Sequence, residues 1–241
     1  MAYRTKADFF VGKKCLLCKG PSCVQMAPNY GTDIMAFNTV KVLTTHHWNT
    51  GLFSFSVERP TSFRFVSGQF VMLGLMVNGK PLLRAYSIVS PFWEESLEFL
   101  SIIIPDGPLT SHLYKIKPGD EILLGEKPTG TLTMDALIPG KRLHMIGTGT
   151  GVAPWISIIR DPGVYERFEH VTVQHTVRQV EDLAYRDLLE SKLASDPLVA
   201  DEAKLQLTYD QSVTKCPTWA DENRRITDRI ACGNYPLDPA T

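Results

Sequence analysis

Gly147-Thr-Gly-Thr-Gly-Val-Ala-Pro154 is the stretch on which the fold turns. An apolar run at residues 143–146 reads as a strand before it, and the apolar run from Pro154 to Arg160 reads as a helix start after it. Glycines at a strand-to-helix turn let the backbone approach a pyrophosphate closely, and the N–H groups opening the next helix attract its charge. Pro154 suits the first turn of that helix, where a missing donor costs nothing. A tight connection alone would also explain the glycines. The strand before them and the helix after them point instead to a nucleotide site held by Gly147, Thr148, Gly149, Thr150 and Gly151.

Downstream, a second strand at residues 170–175 precedes a helical stretch at 183–192, with Leu183, Leu188, Leu189 and Leu193 near one face. A third strand at 205–209 precedes a segment ending Ile226-Thr-Asp-Arg-Ile230. Strand alternating with helix implies a parallel sheet with right-handed crossovers. An NAD-preferring unit would place Asp or Glu near the end of the second strand, about 20 residues after the glycines. Here that strand ends His175-Thr-Val-Arg178, so a cation stands where a 2′-phosphate would sit. Arg186, in Ala184-Tyr-Arg-Asp187, and Lys215, in Ser212-Val-Thr-Lys215, are candidates to converge on the same phosphate. Each alone reads equally well as a solvated surface charge. Together they favour NADP.

Upstream of Pro139-Gly140 the texture differs. Short runs at 39–43, 52–57, 69–75, 84–89, 97–104 and 121–124 are bounded by Gly, Pro, Asn or Asp, which predicts a small antiparallel barrel or sandwich. Within it, Arg84-Ala-Tyr-Ser-Ile88 is the most informative pentapeptide. Alternation sends Arg84, Tyr86 and Ile88 one way and Ala85 and Ser87 the other. An arginine can fork onto a phosphate, a tyrosine can pack on an aromatic ring, and a serine can hydrogen-bond a ring heteroatom. Pro105-Asp-Gly-Pro-Leu-Thr-Ser111 then opens a helix expected at 112–116, offering N–H groups and hydroxyls to a second phosphate.

Composition narrows the function classes. With 25 Lys+Arg against 26 Asp+Glu among 241 residues, there is no whole-chain attraction to nucleic acid or to an anionic membrane. Phe70-Val-Met-Leu-Gly-Leu-Met-Val77, the longest nearly uninterrupted apolar stretch, falls short of the about 20 residues that span a bilayer. Lys6, Asp8, Lys13 and Lys14 interrupt any secretory apolar core, which makes the cytoplasm the expected compartment. Cys15, Cys18 and Cys23 have the look of part of a zinc or iron–sulfur site, but three ligands do not close one. Residues 1–35 therefore read as an unstructured leader, upstream of a start at Met35, with no metal site assigned.

These motifs resemble the bacterial ferredoxin (flavodoxin)–NADP reductase family. The matching pieces, in family order, include Gly68-Gln-Phe70, Pro81-Leu-Leu-Arg-Ala-Tyr-Ser-Ile88, Pro105-Asp-Gly-Pro-Leu-Thr-Ser111, Lys127-Pro-Thr-Gly-Thr131, Gly147-Thr-Gly-Thr-Gly-Val-Ala-Pro154, Tyr165-Glu-Arg-Phe168 and Glu181-Asp-Leu-Ala-Tyr-Arg186. The resemblance implies a Greek-key FAD-binding β-barrel at 36–138 followed by an α/β parallel-sheet NADP-binding domain at 139–241. It implies an enzyme that transfers electrons between NADPH and ferredoxin or flavodoxin, by hydride transfer at the flavin N5, as a monomer. By motif position, Arg84 would pair with the FAD pyrophosphate, with Ala85 and Ile88 beside it. Tyr86 would pack on the isoalloxazine and Ser87 would sit at its reactive edge. Ile102, Ile103 and Ile104 would flank the cofactor, and Leu109, Thr110 and Ser111 would hold phosphates. Thr148 and its glycine neighbours would border flavin and nicotinamide, while Arg178, Arg186 and Lys215 would take the 2′-phosphate.

The chain departs from the family at three places. Residues 1–35 have no counterpart, and Ser212-Val-Thr-Lys-Cys216 stands where the family carries Thr-Arg-Glu. After Pro236-Leu-Asp-Pro239 the family continues into a further strand, a Cys-Gly turn and a tail, so the α/β domain is expected to be incomplete. Two alternatives stay open at this point: the reductase component of an oxygenase, and a flavin- or nucleotide-binding module without turnover.

Overall fold

All six strands expected before Pro139 form, and they belong to a single antiparallel sheet. In the computed structural model, which describes residues 36–215, 225–233 and 235, these are β1 (Phe37–Asn49), β2 (Leu52–Glu58), β3 (Phe70–Val77), β4 (Lys80–Ser87), β5 (Ser96–Ile102) and, after a helical turn α1 (Thr110–Leu113), β6 (Glu121–Gly125). Their order is β4-β3-β6-β1-β2-β5. The outermost strands meet where Ile88 pairs with Phe99 and the Val89 N–H donates to the Glu98 carbonyl at 2.8 Å, which closes the sheet into a barrel. Closure removes exposed sheet edges. Alternation decides what fills it: Phe53, Phe55 and Val57 of β2, Leu97 and Phe99 of β5, and Val71 and Leu73 of β3 form the core, capped by Leu109, Leu113 and Ile116. The helix expected at 112–116 starts earlier and stops at Leu113. Lys117 precedes Pro118, and a residue before proline is pushed out of helical geometry, so the chain has already left the helix there.

The second half holds β7 (Arg142–Thr148), α2 (Ala153–Ile159), α3 (Pro162–Arg167), β8 (His170–Val177), α4 (Arg186–Glu190), α5 (Ala200–Gln206), β9 (Leu207–Val213) and α6 (Ile226–Ala231). The strands form a parallel sheet in the order β7-β8-β9. The helix expected over 183–192 is a short one, because Tyr185 before it and Lys192 and Leu193 after it take left-handed φ values of 60°, 49° and 57°. Two helices were not anticipated. α3 is capped by Asp161, whose carboxylate accepts from the Gly163 N–H at 3.0 Å, with Pro162 in the first position. α5 reaches into the run at 205–209 expected as the third strand, which begins only at Leu207.

Barrel and α/β half are bound into one body. Leu52, Val89 and Leu100 of the barrel share a core with Ile156, Ile159, Val173 and Tyr185. Ser157 donates to the Ser90 carbonyl at 2.8 Å and the Trp93 indole to the Arg160 carbonyl at 2.9 Å. Arg160 bridges Glu94 at 3.1 Å and the buried Asp196 at 2.7 Å. The Tyr185 hydroxyl donates to Glu98 at 2.7 Å. These ties fix the distance between the two walls of the cleft described next. No helix among the described residues is long and apolar enough to cross a membrane. Residues 1–35 with Cys15, Cys18 and Cys23, and also Cys216 and Pro236-Leu-Asp-Pro239, lie outside the described residues, so the expectations placed on them stand as expectations.

Candidate functional site

A cleft of about 450 Å³ opens between β4, the end of β5 and the glycine turn after β7. β4 is paired along its whole length to β3, from Phe70 opposite Ser87 to Val77 opposite Lys80, so its four residues at the cleft are held in register. They are Arg84, Ala85, Tyr86 and Ser87. Ile102 and Ile104 come from the end of β5 and the segment after it, Leu109 and Thr110 from the N-cap and first residue of α1, and Thr150 and Gly151 from the turn. The fold thus gathers into one cavity ten of the residues singled out in the sequence.

Arg84 is exposed at the cleft, and its guanidinium donates to the Leu83 carbonyl at 2.8 Å, which uses one of its five N–H groups. Tyr86 is half-buried, edge-on to Phe99. The Ser101 hydroxyl donates to the Ile102 carbonyl, so the Tyr86 phenol is the donor in the 3.2 Å bond between the two hydroxyls. Burial raises the pKa of Tyr86, which keeps it a donor. Ile102 and Ile104 expose 46% and 47% of their surfaces at the cleft, unusually much for isoleucine, and offer apolar area for a ligand to cover. Thr110 departs from expectation: its hydroxyl donates to the Ile104 carbonyl at 3.0 Å and so closes the loop instead of facing outward as a free donor. The loop folds this tightly because residue 107 is glycine; a Cβ there would lie 2.3 Å from the Thr110 hydroxyl.

Several other expected residues stand outside the cavity. Ile88 is fully buried in the barrel core, so its side chain backs the wall and cannot touch a ligand. Ile103 packs against the same core, and the Ser111 N–H is spent on the Gly107 carbonyl at 3.1 Å. Gly147, Thr148 and Gly149 shape the turn without lining the cavity. A Cβ at Gly147 would lie 2.9 Å from the Gly151 carbonyl oxygen and 3.1 Å from the Trp155 ring, so glycine is what lets the turn fold back on β7. At the same C-terminal edge of the parallel sheet as the glycine turn, the Lys215 N–H donates to the Arg178 carbonyl at 3.0 Å, which places these two exposed residues next to each other. Arg186 is ion-paired to Glu190 at 2.7 Å, and Glu190 also accepts from Gln211. Arg186 thus carries a carboxylate beside it, whereas Arg178 and Lys215 lie next to one another.

Leu100, Ser101, Gly107, Pro108 and Ala153 also line the cleft and were not singled out. Ser101 did leave a signal: it falls on the register of Leu97 and Phe99, where a buried hydroxyl needs a polar partner. His175, beneath the turn, was passed over as well. Its Nε2 lies 3.0 Å from the Gly149 carbonyl oxygen, and the Tyr209 hydroxyl lies 3.4 Å from its Nδ1. Among the described residues, the cleft lining carries a guanidinium, a phenol ring, hydroxyls and glycine backbone, and no carboxylate. That donor set fits an anionic ligand with an extended aromatic ring, such as a flavin dinucleotide.

Known proteins agree with this chemistry. A family model described as an oxidoreductase FAD-binding domain matches residues 38–133, and one described as an oxidoreductase NAD-binding domain matches 145–238. The chain is 52% identical over 179 residues to a ferredoxin–NADP reductase of Pseudomonas aeruginosa, covering 74% of this chain and 69% of that protein. It is 47% identical over 208 residues to a flavodoxin/ferredoxin–NADP reductase of Rhodobacter capsulatus, covering 83% and 76% respectively. A crystal structure of a ferredoxin NADP+ reductase from Neisseria gonorrhoeae with bound FAD and NADP superposes with a TM-score of 0.75 at 30% identity, over 85% of this chain and 82% of that one.

Proposed function

The chain belongs to the ferredoxin/flavodoxin–NADP reductase family, and we propose that it passes electrons between NADPH and ferredoxin, with flavodoxin as a second carrier, through FAD held in the cleft. The observation that carries this reading is the meeting of two walls: Arg84, Tyr86 and Ser87 on the barrel and Thr150 and Gly151 on the glycine turn line the same cavity. When bound, FAD supplies a centre that takes two electrons as hydride and gives them up singly. The protein's share is placement. Arg84 neutralises the FAD diphosphate with a charge-assisted fork. Tyr86, fixed by Ser101, offers its ring as a packing surface, and Ser87 offers a hydroxyl at the ring edge. Ile102 and Ile104 cover the cofactor with apolar surface and exclude water. Arg178 and Lys215 receive the 2′-phosphate and favour NADPH over NADH.

In this reading residues 36–138 are the FAD domain and 139–241 the NADP domain, working as a monomer in the cytoplasm. The test is a visible spectrum of the purified protein, followed by NADPH-driven reduction of ferredoxin, flavodoxin and an artificial acceptor. A yellow protein that reduces the carriers supports the reading. Protein that stays colourless after incubation with FAD would overturn it. Bound flavin without turnover of any acceptor would mark a binding module instead.

A further inference from the structure

Among the described residues, His175 is fully buried at the C-terminal end of the central strand of the parallel sheet, and nothing in the reaction above uses it. Its hydrogen bonds fix its tautomer. The Gly149 carbonyl can only accept, so Nε2 carries the proton and donates at 3.0 Å. Nδ1 is then the acceptor, and the Tyr209 phenol donates to it at 3.4 Å. Burial holds the imidazole's pKa down at about 4 and raises that of Tyr209, so both groups keep these roles across the neutral range. The result is a chain of donors running from β9 through β8 to the turn after β7.

Gly149 is where the strand becomes a turn, with a left-handed φ of 52°. In a 3-10 turn the carbonyl of one residue accepts from the N–H three residues on, here Val152, and a carbonyl oxygen has a second lone pair. His175 takes that second position. The Gly149–Thr150 peptide is trans, so its N–H is directed opposite to its carbonyl. With the carbonyl held against β8, the N–H side of the peptide is turned away from the sheet, on the turn whose Thr150 and Gly151 line the cleft. If the peptide flipped, a partially negative oxygen would replace an N–H at that surface.

We propose that His175, oriented by Tyr209, is a positioning residue for the dinucleotide: it locks the Gly149 peptide so that the turn presents donors, not an acceptor, to the diphosphate of NADPH. The role rests on the reading of the cleft as a flavin–NADPH site, and the test separates the two. Calorimetric titration of the FAD-loaded protein with NADP+ is compared for the wild type, His175→Leu, His175→Gln and Tyr209→Phe. His175→Leu removes both ring nitrogens, whereas glutamine keeps an N–H donor at similar reach. The expected losses are roughly tenfold for His175→Leu, two- to threefold for Tyr209→Phe, and less than about threefold for His175→Gln. KM for NADPH should rise in step while kcat and FAD content, read from the visible spectrum, hold.

A folded His175→Leu variant that binds NADP+ as tightly as wild type overturns the proposal. So does a His175→Gln variant as weak as His175→Leu, since that result marks mere packing. If His175→Leu does not fold, Tyr209→Phe decides: unchanged NADP+ affinity overturns the role, and a loss confined to KM supports it. Wild-type protein that holds FAD but does not bind NADP+ overturns the reading of the cleft itself, whereas tight wild-type binding with unaffected variants overturns only the role of His175.

Discussion

The barrel wall of the cleft is a strand that lines it with Arg84, Tyr86 and Ser87, whereas the facing wall is a glycine-rich turn that lines it with Thr150 and Gly151. The difference in material goes with a difference in support. β4 is held by a full ladder to β3, so each side chain on it can be changed without moving its neighbours. The turn owes its shape to a left-handed Gly149, a close approach at Gly147 and a buried imidazole behind it. A wall made of side chains should fail one contact at a time. A wall made of backbone should fail as a unit, through residues that never touch the ligand.

The largest effect expected on the turn side is in pH dependence. His175 has a folded pKa of about 4, below its ordinary value, so in the interval between the two the unfolded chain binds a proton that the folded chain does not. Stability from this group is therefore full above the ordinary histidine value and is lost as pH falls toward 4. By linkage that amounts to about 2–3 kcal/mol. Urea unfolding at pH 7 and pH 4.5 should show the wild type losing more stability on acidification than His175→Gln does. Parallel losses would mean that His175 is not held neutral, and the turn would lack the support described.

On the barrel side the corresponding test is Arg84→Ala. Losing a charge-assisted contact of about 1.5–3 kcal/mol should weaken FAD by tenfold or more. Arg84 is exposed and bonded within the protein to the neighbouring Leu83 carbonyl, so the melting temperature of the FAD-free protein should hardly move. A large loss of stability without FAD would break the contrast, since the side-chain wall would then be structural too.

How far each wall was legible follows from the same contrast. Arg84, Tyr86 and Ser87 announce themselves because an arginine and a serine interrupt a strand that needs neither, and the glycines of 147–151 because so many in a turn demand a reason. Both the barrel and the parallel sheet were readable from alternation and from strand-helix order, although the third strand of the parallel sheet begins two residues later than its apolar run suggests. His175 was not readable. In His170-Val-Thr-Val-Gln-His175 it occupies the face of Val171 and Val173, and periodicity cannot distinguish a buried donor from an apolar filler. The loop role of Thr110 was hidden for a related reason: a hydroxyl in a turn looks the same whether it faces a phosphate or its own chain. The short α4 was overread because leucine spacing records burial, and Leu183 and Leu193 are buried without being helical.

Ser101→Ala sharpens the comparison on a smaller scale. It removes the acceptor of the Tyr86 phenol, a bond of about 1 kcal/mol, and leaves the ring in place. FAD affinity should fall severalfold. Because the two residues act through one bond, Ser101→Ala combined with Tyr86→Phe should cost little more than either alone. Additive losses in that cycle would show that the phenol orients itself by some other contact.

The smallest effect concerns the cationic corner, where side chains return on the α/β half. Arg178 and Lys215 are exposed and lie next to each other, joined by the Lys215 N–H to the Arg178 carbonyl at 3.0 Å. Two neighbouring charges that receive one phosphate, as proposed, would share it, and both are screened by salt, so neither alone should dominate. Arg178→Ala should weaken NADPH roughly fivefold at low ionic strength, less at high salt, and leave NADH unchanged, because NADH has no 2′-phosphate to lose. Steady-state KM values for both nucleotides at two salt concentrations give the answer. If NADH weakens as much as NADPH, Arg178 touches the part the two share, and the corner belongs with the turn as part of a wall that holds the diphosphate.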